Sequence, residues 1–148
     1  MISPDKIFFL IQSKGKFLNQ FANNENLKNQ ASQVWKSLEG WTPILLAVTA
    51  LIGIGLAIYY YTAYNEQPGR HYKVKHWGIW MLISFVFTFI VTLAIEYFGI
   101  KTNLKSGLTS LYWLTALNNA LYTVVLYFIT SLVWCNLLPT NAYRFLKL

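Results

Sequence analysis

WGIWMLISFVFTFIVTLAI, residues 77–95, contains nineteen residues and no charge. A helix rises 1.5 Å per residue, so a segment of this length spans the roughly 30 Å hydrocarbon layer of a bilayer. Tryptophans stand at its start and Tyr97 just past its end, where aromatic rings settle at membrane–water boundaries. The stretch decides the class: an all-α integral membrane protein.

Two further runs support it. Residues 42–64 are uncharged, opened by Trp41 and Pro43 and closed by YYYTAY. Residues 108–138 extend for 31 residues without a charge, about 46 Å of helix. That exceeds the hydrocarbon thickness, so one end projects, or the helix tilts or bends. The expected organisation is three transmembrane helices, at about 42–64, 77–98 and 108–138, in a bundle covering residues 41–148. An amphipathic helical arm over residues 1–40 precedes it.

Composition agrees. The 148 residues are 55% hydrophobic and only 11% charged, against a usual globular share near 25%. A soluble protein of this size cannot hide so much apolar surface. The net charge of +7 would suggest nucleic acid in a soluble protein. Here the basic residues flank apolar runs, where they meet anionic headgroups, so no nucleic-acid partner is expected.

In the arm, SPDK is a helix start with Ser3 as cap and Pro4 at the first helical position. Ile7, Leu10, Ile11, Phe17, Leu18 and Phe21 suit one apolar face. After the polar break ANNEN, Leu27, Ala31, Val34, Trp35 and Leu38 recur at helical spacing. Two short helices lying on the membrane surface or on a partner are expected, with Trp35, Trp41, Arg70, Lys73, Lys75, Arg144 and Lys147 as contacts. The five lysines before the first span favour a cytoplasmic N-terminus, because such a segment crosses poorly without a signal.

Each span carries small or polar residues at four-residue spacing, hence along one helix face. In the first span these are Thr49, Gly53 and Ala57, a small-residue pattern that lets another backbone approach. In the second they are Ser84, Thr88, Thr92 and Glu96. Hydroxyls leading to a carboxyl could form a proton or ion path. The simpler expectation puts Glu96 at the interface, offset by Lys101 and Lys105. In the third the row is Thr115, Asn119, Thr123 and, after a slip, Thr130. Asn118 and Asn119 interrupt an uncharged run, so they either meet polar groups inside the membrane or lie at its surface. An interhelical hydrogen bond from at least one of them is the favoured reading.

No chemistry-bearing motif appears. The lone Cys135 reads as a packed thiol. No histidine lies in a span, and His71 and His76 share a basic loop, so neither metal nor cofactor is expected. The acidic residues are scattered, and no phosphate loop or serine elbow occurs. The expectation is a non-enzymatic subunit of a larger membrane assembly for secretion, transport or respiration. The alternative is a homo-oligomeric channel or pore-forming effector lined by the second or third row. A lipid or small-molecule carrier is a third class.

Overall fold

The computed structural model describes residues 3–65, 74–100, 102, 108–138 and 146, and among them every regular element is helical. A 3-10 turn at Pro4–Lys6 and a six-residue helix, α1 (Lys14–Asn19), come first. Three long helices follow: α2 (Glu25–Tyr59), α3 (Val74–Gly99) and α4 (Leu108–Leu137). A π-helical turn, Tyr60–Tyr64, closes α2, with the Asn65 amide donating to the Tyr60 carbonyl at 3.0 Å. The α2 helix with its π turn, α3 and α4 are each long and apolar enough to cross a membrane.

The N-terminal region departs from the expected pair of surface helices. Ser3 precedes only a 3-10 turn, and its hydroxyl donates to Asp5 rather than capping a backbone amide. The second expected helix is not separate from the first span, because α2 runs without interruption through Pro43. Its start is set by Asn24, whose Oδ1 accepts from the amides of Asn26 at 3.0 Å and Leu27 at 3.3 Å. That satisfies two of the donors a helix start leaves open.

Continuity has a physical reason. The buried side of α2 advances through Ala31, Val34, Leu38, Thr42, Leu45, Thr49, Gly53 and Ala57 in steps of three or four. The phase never breaks at Pro43, whose ring lies on the exposed side. Proline removes one backbone donor, and the neighbouring Thr42 hydroxyl adds a local bond to the Leu38 carbonyl at 2.7 Å.

The chain forms two compact units: Met1–Ala47 with Phe89–Asn119, and Val48–Thr88 with Ala120–Leu148. In the first, the Phe17 ring lies 5.6 Å from both Phe21 and Trp35, centroid to centroid. Trp35, expected as a surface or partner contact, is fully enclosed. The apolar face of the arm is therefore used inside the chain, against the first turns of α2. Lys14 pairs with Glu39 at 3.4 Å, a partly exposed bond worth at most about 1 kcal/mol. Trp41, the other tryptophan expected at the surface, is half-buried, its indole lying on Gly99. A Cβ at 99 would stand 2.8 Å from that ring.

The second unit has an aromatic core of Tyr60, Tyr61, Trp77 and Tyr127 with Ala57 and Cys135. Tyr61 stacks on Trp134 at 6.0 Å, and the Cys135 thiol donates to the Tyr61 hydroxyl at 3.4 Å. Here α2 and α4 touch at Gly53, where an added Cβ would meet the Thr123 carbonyl oxygen at 3.0 Å. The small residue thus serves packing within this chain.

Candidate functional site

Helical periodicity turns the polar rows inward. Thr49, Gly53, Ala57, Ser84, Thr88, Thr92, Glu96, Thr115, Asn118, Asn119 and Thr123 are all buried. A hydroxyl or amide at such a position must find a partner, because hydrocarbon offers none. Some find it on their own helix: Ser84 donates to the Met81 carbonyl at 2.7 Å, and Thr115 to the Leu111 carbonyl at 2.9 Å. Others reach across.

In the second unit the Thr123 hydroxyl donates to Thr88 Oγ1 at 2.9 Å, with the Thr49 carbonyl 3.4 Å from the same oxygen. One hydroxyl on α4 thereby joins α2 and α3. Trp77 Nε1 donates to Ser131 Oγ at 3.0 Å. The third row keeps its four-residue spacing through Tyr127 and Ser131, both buried, whereas Thr130 is only partly covered. The expected slip to Thr130 does not occur. Counting on in fours from Thr115 through Asn119 and Thr123 would have found Tyr127 and Ser131.

In the first unit the Asn119 amide donates to Thr92 Oγ1 at 3.4 Å, the interhelical bond expected of at least one asparagine. Asn118 donates instead to the Leu114 carbonyl of its own helix at 2.9 Å. Neither side-chain carbonyl oxygen has a hydrogen-bond partner.

Glu96 is enclosed by the chain: it is 0% exposed, and neither carboxyl oxygen has a hydrogen-bond partner. The Thr115 hydroxyl stands beside it and also lies 2.9 Å from the Leu111 carbonyl, to which it donates. Tyr112 is the other polar neighbour, and its hydroxyl is likewise buried and unpartnered. Sequence periodicity missed Tyr112, which is three residues before Thr115 and so lies on a neighbouring strip of the helix. Lys101 and Lys105, expected to offset Glu96, lie outside the described residues.

Next to this cluster is a groove of about 690 Å³ lined by Leu93, Tyr97, Ile100, Leu108, Tyr112 and Trp113, among others. Its rim is aromatic and open: Tyr97 is 79% exposed, Trp113 54%. Of the expected headgroup contacts, Lys75 is exposed in the first turn of α3. Arg70, Lys73, Arg144 and Lys147 lie outside the described residues. Among the described residues no three His, Cys, Asp or Glu side chains gather to hold a metal ion.

Comparison with protein-family models, with curated proteins and with solved structures finds no match to this chain.

Proposed function

We propose that this chain is a non-enzymatic, multi-pass integral membrane subunit that docks into a larger membrane assembly, its N-terminus in the cytoplasm. The observation that carries the reading is the aromatic groove between the end of α3 and the start of α4. The polar rows are covered within the chain, so they leave little with which to recognise a neighbour. Much of what remains outside on the long helices is aliphatic and suited to lipid: Leu51, Leu82, Val86, Ile90 and Val125 are all exposed. The groove differs in being concave and rimmed by Tyr97, Tyr112 and Trp113. Large aromatic side chains around a hollow are the usual anchors of a protein interface.

A homo-oligomeric pore would need a polar row on an outward face, and the burial of Ser84, Thr88, Thr92, Glu96, Thr115, Asn119 and Thr123 in the single chain supports the subunit reading over it.

The test is gentle extraction of the tagged chain from its own membrane, followed by the mass and composition of the complex. A photocrosslinker at Trp113 is compared with one at Leu51. The expected result is a reproducible second protein crosslinked from position 113 and not from 51. A chain that extracts as a monomer, or only with copies of itself, overturns the reading.

A further inference from the structure

Four buried side chains of the first unit form two consecutive rungs. Thr92 and Glu96 stand one turn apart on α3, and Thr115 and Asn119 one turn apart on α4. Asn119 Nδ2 meets Thr92 Oγ1 at 3.4 Å, and Thr115 stands beside Glu96. One turn of helix rises 5.4 Å, so the two rungs follow one another directly along the pair.

The Thr115 hydroxyl donates to the Leu111 carbonyl, the Asn119 amide donates to Thr92, and the neighbouring Tyr112 hydroxyl has no partner. Also unpaired are three acceptor oxygens: both oxygens of Glu96 and Oδ1 of Asn119. All three belong to side chains that are 0% exposed. Leaving such oxygens unpaired is expensive, and an acidic group placed inside a membrane is ordinarily functional.

From this arrangement we infer that Glu96, Asn119, Thr92 and Thr115 form a binding site for a monovalent cation, either a sodium ion or a proton taken up by the same carboxyl. The donor set is all oxygen, which suits a hard cation and not zinc, copper or iron. It holds a single carboxyl, so its formal charge balances one positive charge and not two. The α2 helix reaches this end of α3 through Trp41 at Gly99 and is uncharged from residue 40 to 47. The titratable neighbour on α4 is Tyr112, which also lines the groove. The site stands independently of the docking proposal, because it lies inside one chain.

Infrared difference spectra of the whole purified protein in liposomes read this carboxyl directly. One series exchanges choline for sodium at fixed pH, and a second varies pH in choline. The expected result is a carboxyl band that responds to one of the two and is absent in Glu96→Gln. Response to sodium identifies a metal-ion site, and response to pH alone identifies a proton site. Asn119→Ala keeps the acid and tests the shell. It is expected to raise the sodium midpoint by roughly tenfold or more, the usual effect of losing a supporting group, or to move the pH midpoint if the site takes only a proton. No Glu96-dependent band in either series overturns the inference. So does a midpoint unmoved by Asn119→Ala, because the carboxyl would then titrate outside any site.

Discussion

Gly53 lies directly under the Thr123 carbonyl, so that a Cβ at position 53 would stand 3.0 Å from the oxygen and 3.1 Å from Leu126 Cβ. The obstacle is helix backbone, which cannot swing aside as a side chain does. A bulky residue must therefore push α2 and α4 apart in this unit, and the Thr123–Thr49 contact at 3.4 Å stretches with them. Gly53→Val is predicted to cost about 1–3 kcal/mol, the scale of overpacking a well-filled contact. Gly53→Ala is a poorer test, because better helix propensity offsets part of the clash. Reversible unfolding in mixed micelles measures both. A Gly53→Val protein as stable as wild type would show that this contact is loose.

The Thr88–Thr123 bond is predicted to couple α3 to α4 by about 0.6–1.7 kcal/mol. A double-mutant cycle with Thr88→Val and Thr123→Val isolates that energy. Additive losses would mean that each hydroxyl finds another partner when its mate is removed.

The two asparagines are predicted to behave differently although they are adjacent. Asn119→Leu removes a bond between helices and is expected to cost about 0.6–1.7 kcal/mol. Asn118→Leu removes only a bond to its own helix and an unpartnered carbonyl oxygen, so it should be close to neutral. Equal losses at the two sites, measured by the same unfolding, would contradict this assignment.

Trp35 is predicted to be the most sensitive position of the N-terminal region. Its ring is enclosed and packed on Phe17, while its Nε1 has no partner. Trp35→Ala should cost about 3–5 kcal/mol. Trp35→Phe keeps most of the packing and drops the unpaired donor, so its cost should be much smaller. Proteolysis of the arm gives a second readout: Trp35→Ala should release residues 1–24 to cleavage. If cleavage is unchanged, the arm is held by something other than this aromatic contact.

Much of this protein was legible in its residues. Uncharged runs of about twenty or more residues dictate helices, because inside hydrocarbon a helix satisfies its own backbone without help. Spacing of four placed Thr49 with Gly53, Ser84 through Glu96, and Thr115 with Asn119 on single faces before any partner was visible. The same spacing carries the third row on through Tyr127 to Ser131, one position past Thr130. Asn24 as the start of α2 is also readable, since Asn is a preferred cap, although the polar run around it resembles a break between helices.

Other features depended on the third dimension. Periodicity names a helix face but not the face it meets, so Thr123 could not be paired with Thr88, or Asn119 with Thr92, from spacing alone. The enclosure of Glu96 was undecidable in one dimension, because an acid at the end of an apolar run can face outward as well as inward. Likewise, the aromatic residues of the arm could lie on a membrane or against their own helix, and only packing on Trp35 chose. Composition and local spacing set the class and the helices of this protein. Which polar group meets which, and which is left unpaired, was decided by how the helices come together.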